Sequence, residues 1–403
     1  MKCRFCKTKL VNKLIDLGRA PLVNAFLKKN NLNKKENFYP LSLMLCNNCC
    51  LVQTRENISP KTIFKKNYPY FTSTSKSFLQ HAKKFSKKII GLLNLNKDST
   101  VVEIACNDGY LLKNFVARKI RCLGIEPSLS VAKVAKEKKI KVVTKFFSSS
   151  LSVAISKKYK SDLIIANNVY AHIPNVVDFT KGLKNLLKPY GTIVIEFQYV
   201  ISLIKRYQFD TIYHEHYSYY SLTSVNNILK SQNLKIYNVE KINTHGGSLR
   251  IYVCHDNYLK GVNKKVKQIL RQERNIVTSP KFYKNLNFKV KKIKKNLLEF
   301  LIKLKNKNQK VCAYGAAAKG NTLLNFCKIN SDLIYCIFDN SKSKQGMFMP
   351  GNHIPVLSSK SIKKINPDYI LILPWNIREE IKKQLKKYKS KIFIAVPKIK
   401  ILS

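Results

Sequence analysis

The stretch STVVEIACNDGYLLKNF, residues 99–115, decides the fold. Its apolar run VVEIA has the length and β-branched content of a strand buried on both faces. The run ends in the turn C-N-D-G, and Y-L-L-K-N-F opens a helical pattern. Upstream, SKSFLQHAKKFSKKIIGLL has helical spacing. Downstream, IRCLGIEPS (120–128) repeats the strand-into-turn arrangement and ends in the acid Glu126. KVVTKFF, DLIIANNVYAHIP and GTIVIEFQ follow as strands with helices between them. This β-α-β-α-β order predicts a parallel, doubly wound sheet, and ligands of such sheets sit at the carboxyl ends of the strands.

Two ligand classes compete for that position. A dinucleotide site wants G-x-G-x-x-G, and this turn has one glycine, Gly109. An S-adenosylmethionine site wants an acid late in strand one, a small turn, and an acid at the end of strand two for the ribose hydroxyls. Glu103, Asn107, Asp108, Gly109 and Glu126 supply that set. The simpler account, Gly109 serving only the turn and Glu126 only capping a helix, leaves the order and spacing unexplained.

Of eleven cysteines, five fall in the first fifty residues: Cys3, Cys6, Cys46, Cys49 and Cys50. C-R-F-C and C-N-N-C read as two knuckles whose four thiolates close a tetrahedral, structural Zn²⁺ shell. Cys50 is a rival to Cys49 for the fourth position. A segment this small needs such a staple, because metal binding supplies folding free energy.

A chain of 403 residues suggests two or three domains. No run is apolar enough to span a membrane. The polar, cysteine-rich start MKCRFCKTKL does not read as a signal peptide, so the expected compartment is the cytoplasm. The net charge of +53 resembles that of a nucleic-acid binder, but of 75 basic residues only ten are arginine. Base readout and bidentate phosphate contacts favour arginine. The lysines therefore read as a solvated surface, and no specific nucleic-acid partner is expected.

Seven histidines serve the chain, yet two flank one glutamate in FDTIYHEHYSYYS, residues 209–221. Spacing of i and i+2 does not share a helix face. On an extended segment, His214 and His216 would point to one side and Glu215 to the other. The stretch looks like a site for moving protons. Tyr217, Tyr219 and Tyr220 read as wall and core, and His245 in HGGS reads equally as a turn-former or a binder. Further on, 256–310 is lysine-rich with helical apolar spacing. VCAYGAAAKGNTLLNF, LIYCIFDNS, DYILILPW and KIFIAVPKI then form a second α/β unit. Its G-A-A-A-K-G-N-T turn offers amides and Lys319 suited to a pyrophosphate.

Taken together, the knuckles, YPYFTSTS (68–75), VVEIACNDGYLL, GIEPS, NNVYAHIPN (167–175), the Y-H-E-H stretch, THGGSLRIYV (244–253), YGAAAKGNTLLN (314–325), FDNSKSKQGMFMPGNHIPV (338–356) and LPWN (373–376) run in a characteristic order. The chain resembles, over essentially its whole length, the zinc-headed sugar C-methyltransferases. These use S-adenosylmethionine to methylate C3 of a nucleotide-linked 4-keto-6-deoxysugar. The resemblance implies a zinc-binding domain at 1–62 and a Rossmann-like methyltransferase domain at 63–255. A helical linker at 256–310 and a nucleotide-sugar-binding α/β domain at 311–403 would complete the chain. It implies zinc on Cys3, Cys6, Cys46 and Cys49, and cofactor contacts from Glu103, Asn107, Asp108, Gly109, Glu126 and Asn168. The catalytic cluster would be Tyr213, Glu215, His216 and His172, with a tyrosine of the YPY turn, Tyr68 or Tyr70. Lys319, Asn321, Thr322, Asn340 and Asn376 would grip the nucleotide-sugar, and the enzyme would be a monomer or weak homo-oligomer. Cys106 stands where the family often has a serine or another small residue.

The chemistry fits these residue types. A carbon–carbon bond at a sugar carbon needs a carbanion equivalent, and a neighbouring ketone lets the α-proton leave as an enolate. Histidine is the side chain that titrates near neutral pH, so His216 is the expected base. Phenols or an imidazole suit the oxyanion. Two other function classes compete with this one. An RNA methyltransferase with a zinc-knuckle head would use the charge, but strand four ends in NNVYAHIP rather than a base-stacking turn such as N-P-P-Y. A zinc-dependent scaffold would not need the intact acid and Y-H-E-H sets.

Overall fold

The strand Thr100–Ile104 is buried at every position and lies within a seven-stranded sheet, as its unbroken apolar run requires. This protein is described from a computed structural model covering residues 1–56, 58–64 and 70–402. Tyr68 lies outside the described residues. The sheet order is Leu234–Ile242, Ser248–His255, Leu187–Gln198, Ser161–Asn167, Thr100–Ile104, Arg121–Ile125 and Lys141–Val143. The last five are mutually parallel. Ser248–His255 runs antiparallel to both its neighbours. Ser75 caps the helix Lys76–Leu92 that precedes the first strand, accepting from Phe78 N.

Two smaller sheets flank this one. The C-terminal sheet orders Val356–Ser358, Ile337–Asp339, Val311–Tyr314, Tyr369–Ile372, Lys391–Ile394 and Lys400–Ile401. It is parallel except for the final pair. The head sheet has strands Asn12–Ala20, Tyr39–Leu45 and Val52–Thr54. Its fourth strand is Ser218–Tyr219, from the segment that follows the strand Leu187–Gln198 of the seven-stranded sheet. Val52 pairs with Tyr219 and Gln53 with Ser218. The head is thus completed by a piece of the histidine-rich segment, which a division of the chain at residue 62 separates from it.

The lysine-rich stretch forms helices Lys264–Val277, Pro280–Lys284 and Leu286–Asn306. In the last, Leu286, Val290, Ile293, Leu297, Leu301 and Leu304 form one buried stripe, the amphipathic pattern expected of a packed surface helix. Buried Glu273 accepts from Leu222 N at 2.8 Å and Thr223 N at 2.7 Å, capping the helix Leu222–Lys230. The stretch is therefore packed against the body rather than merely linking it. Among the described residues, no helix is long and apolar enough to cross a membrane.

Gly109 is required by the first turn. Its φ is +74°, and a Cβ there would lie 2.4 Å from Ile140 Cδ1 and 3.2 Å from Ala135 Cβ. Gly109→Ala is expected to cost about 2–4 kcal/mol from left-handed strain plus overpacking, measured as the shift of the urea midpoint. An unchanged midpoint would contradict this packing.

Candidate active site

The turn after Thr100–Ile104 has Ala105, Asn107 and Gly109 at positive φ, so the chain doubles back and exposes its polar groups at the strand ends. A cavity of about 710 Å³ opens there, lined by Asn107, Glu126, Asn168, Tyr70, His172, Tyr213, Glu215, His216 and Lys319 among others. It also takes in Asn340 and Asn376.

The acid set divides in two. Glu126 lines the cavity; its Oε1 accepts from Ser128 N at 2.9 Å and its Oε2 from Asn107 N at 3.1 Å. Burial raises its pKa to about 7. Glu103, Asp108 and Gly109 lie behind the lining. Glu103 is 1% exposed, burial first and then Asp108 and Glu126 push its pKa well up, and its Oε2 has no partner. Asp108 Oδ2 accepts from Ser73 N at 3.1 Å. Asn107 Oδ1 accepts from Thr72 N at 2.9 Å, and its Nδ2 donates to Tyr70 O at 3.1 Å. The N-D-G turn therefore ties down the segment that carries Tyr70, which is 43% exposed at the cavity. A second buried acceptor without a partner, Asn167 Oδ1, sits beside Asn168. Glu126 and Asn167, the two that line the cavity, fit the hydroxyls and amine of S-adenosylmethionine.

The Y-H-E-H segment is not extended. His216 N donates to Tyr213 O at 3.0 Å, closing a turn. The i, i+2 expectation is thereby corrected: Tyr213, Glu215 and His216 line the cavity, whereas His214 turns toward the head and donates from Nε2 to Pro40 O at 3.1 Å. His216 Nδ1 lies 3.1 Å from Thr211 O, and His172 Nδ1 2.8 Å from Glu215 O. A carbonyl only accepts, so both rings carry hydrogen on Nδ1 and keep a lone pair on Nε2. The two rings meet edge to face at 4.7 Å, and Tyr213 lies 4.1 Å from His216. Burial lowers the His172 pKa to about 4. Burial, then His172, drives His216 well below the ordinary imidazole value.

The C-terminal module closes the far side. Lys319 is the one lysine in the buried class among the described residues. Its Nζ donates to Asn376 Oδ1 at 2.9 Å and sits 4.5 Å over the Trp375 ring. Burial lowers its pKa to about 8 while Asp210 opposes the shift. Asn321 and Thr322 lie away from the cavity, 1% and 2% exposed. Thr322 Oγ1 instead donates to Ile212 O at 3.1 Å, bracing the turn from behind. His245, with φ of 51°, lines the cavity. Sequence reading missed Asn24 and Asn167. The doublet Asn167-Asn168 at a strand end was a usable signal for the latter; nothing around Asn24 in R-A-P-L-V-N-A-F marks it.

In the head, Cys3, Cys6, Cys46 and Cys49 hold their Sγ atoms within 4.8 Å of one another. The pairs 3–49 and 6–46 are 3.6 and 3.4 Å apart. Tetrahedral Zn–S bonds of about 2.3 Å imply sulfur spacings of about 3.8 Å, so the set fits the metal. Cys50 is outside it, at φ 59° in the knuckle turn. Gln53 Nε2 donates to Cys3 Sγ at 3.2 Å, and its Oε1 accepts from Arg4 N at 2.9 Å. Gln53 also stands opposite Ser218 in the head sheet, and the next residue, Thr54, donates from N to Tyr217 O at 3.1 Å, so the strand that touches the thiolates also pairs with the chain just after the histidine turn.

Family models tile the chain in the same order. Residues 3–64 match "Putative zinc binding domain", 77–239 "Methyltransferase domain" and 243–397 "C-methyltransferase C-terminal domain". The C-methyltransferase NovU of Streptomyces niveus is 28% identical over 407 residues, covering 100% of this chain and 97% of NovU. The chain thus carries, in order, matches to a zinc-binding domain, a methyltransferase domain and a C-methyltransferase C-terminal domain. Among solved structures, the PH0226 protein of Pyrococcus horikoshii OT3 covers 48% of this chain and 99% of its own, at 14% identity and TM-score 0.38. Magnesium protoporphyrin IX methyltransferase (ChlM) of Synechocystis PCC 6803 with bound SAM covers 50% and 100%, at 14% and 0.37. The matched models make this chain a methyltransferase with a zinc-binding domain at its head.

Two outcomes follow from this geometry. Stripping the metal, or Cys46→Ser, should release the pairing of Val52–Gln53 with Ser218–Tyr219. Amide exchange of a peptide covering 213–221 should rise at least about tenfold while 100–125 stays protected. In ¹⁵N spectra at about pH 6, below the ordinary imidazole value near 6.5, His172 and His216 should still show the neutral Nδ1–H form. A lowered pKa extends the neutral form to lower pH, so protonated shifts there would contradict the burial.

Proposed function

We propose that this methyltransferase removes the C3 proton of a nucleotide-linked 4-keto-6-deoxysugar and methylates the resulting enolate carbon. One observation carries the reading: two neutral imidazoles with free Nε2 lone pairs share a cavity with the Glu126 acceptor set and a buried lysine. A buried neutral imidazole is a base ready to act, and no preliminary deprotonation is needed.

Bound S-adenosylmethionine supplies the electrophilic methyl group. Glu126 would accept from its ribose hydroxyls, with Asn107, Asn167 and Asn168 around it. His216 takes the C3 proton on Nε2, and Thr211 O stabilises the imidazolium through the Nδ1–H bond already made. His172 Nε2, in the edge-to-face ring beside it, is a second acceptor in reach. With its hydrogen on Nδ1, as the contact with Glu215 O requires of a neutral ring, His172 has no Nε2–H, so donation to the oxyanion falls to Tyr213, Tyr70 and the Lys319 ammonium. Lys319 carries its charge in a nearly dry site, where one cation stabilises a developing oxyanion far more than in water. The Gly315–Ala318 turn, with Asn340, Ser341 and Lys344 along the same wall, offers donors and a cation for a sugar diphosphate.

The test is hydrogen exchange without methyl donor. In D₂O the enzyme should label C3 of a nucleotide-linked 4-keto-6-deoxysugar, and with donor it should give a C-linked methyl product. His216→Ala should slow exchange by about 10²–10⁴-fold. Undiminished exchange in His216→Ala would refute the base assignment; loss in His172→Ala alone would transfer the role there.

A further inference from the structure

The head reaches beyond its own sheet into the cavity. Its loop after Asn12–Ala20 is anchored at several points. Val23 is 2% exposed. Leu27 exchanges two backbone hydrogen bonds with Phe348 of the C-terminal module, 2.9 and 2.8 Å. Pro21 packs so closely on that module that a Cβ on Gly351 would lie 2.8 Å from its Cγ. Between these anchors Asn24 lines the cavity and donates from Nδ2 to Glu215 Oε1 at 2.7 Å.

Glu215 is 3% exposed, and a carboxylate so far from water needs donors. An amide supplies one without adding charge. A lysine or arginine at position 24 would cancel the carboxylate beside the imidazoles and confront Lys319. The position of Glu215 matters twice, because its own carbonyl receives the His172 Nδ1 hydrogen. A shift of Glu215 therefore disturbs both the side chain in the cavity and the tautomer of a neighbouring imidazole.

We infer that Asn24 is a positioning residue for the reaction: through it the zinc head orients Glu215, and by way of Glu215 the His172 ring. The head is then a part of the active site as well as a folded staple. This rests on the reading that the 213–216 turn is the reacting end of the cavity.

Asn24→Ala and the isosteric Asn24→Asp test it, each checked for one zinc per chain and an unchanged melting temperature. Asn24→Ala should lower kcat for methyl transfer and C3 exchange about 10–100-fold, the scale of a small misplacement, with the S-adenosylmethionine KM unchanged. Asn24→Asp sets two carboxylates at hydrogen-bond distance, which share a proton. Its rate should recover as pH falls into the weakly acidic range, a limb the wild type lacks. Wild-type kcat in both variants would overturn the inference. So would equal losses with a wild-type pH profile, which mean packing alone. His216→Ala run in parallel separates the two readings. Exchange lost there but intact in both Asn24 variants sinks the Asn24 inference alone; exchange intact in His216→Ala sinks the base assignment.

Discussion

A four-residue turn with no regular secondary structure of its own, Tyr213–His216, is held in place from three directions. On one side Ser218–Tyr219 extends the head sheet by pairing with Val52–Gln53, and Arg4 donates to Thr54 O at 2.6 Å and Glu56 O at 2.8 Å just beyond. Beneath, Tyr217 N donates to Ala171 O at 2.8 Å, in the strand-end turn that carries His172. Opposite, Thr322 takes Ile212 O and Trp375 Nε1 bonds Asp210 Oδ2. Each module contributes hydrogen-bond partners to one short segment. Buried backbone groups must find partners, and this turn supplies only one bond of its own, from His216 N to Tyr213 O, so the position of the imidazoles is set by the assembly of all three modules.

Desolvation then determines the charge states. The same burial that lowers both histidines raises Glu126 to about 7 and brings Lys319 down to about 8. Glu126 and Lys319, which water would hold firmly charged, are brought toward neutrality, whereas the imidazoles are held in the neutral form with a lone pair to accept a proton. A low-dielectric cavity also enlarges every remaining interaction. Among the described residues, the one buried lysine stands at this cavity. The overall positive charge and the chemistry of the site are thus separate matters: the first belongs to the surface and the second to one ammonium with Asp210 behind it.

The zinc site fits the same arrangement. Its four thiolates fold a small head whose strands are too few to stand alone, and Gln53 joins the metal's surroundings to the pairing that holds the histidine turn. The four cysteines are remote in sequence from the histidine turn, but the strand carrying Gln53, which donates to Cys3 Sγ, pairs with Tyr217–Tyr219, so head folding and site geometry are physically connected.

Much of this was legible in residue order. VVEIA with C-N-D-G and Glu126 marked the sheet and its ligand edge, because buried parallel strands need unbroken apolar runs and the strand order puts their ends together. The paired C-x-x-C knuckles identified the metal set, because thiolate number and spacing leave little choice; only the fold turned Cys50 away. Local pattern misled at Y-H-E-H, where period-two reasoning assumed a strand and the hydrogen bond from His216 to Tyr213 made a turn. It was silent on Asn24, which lies 191 residues from Glu215, and it grouped Thr322 with Lys319 although one braces the turn and the other faces the cavity. The sequence by itself determined which elements form and which chemistries are available. Which side chains meet was decided only by tertiary packing, because hydrogen-bond partners and desolvation come from groups distant in the chain.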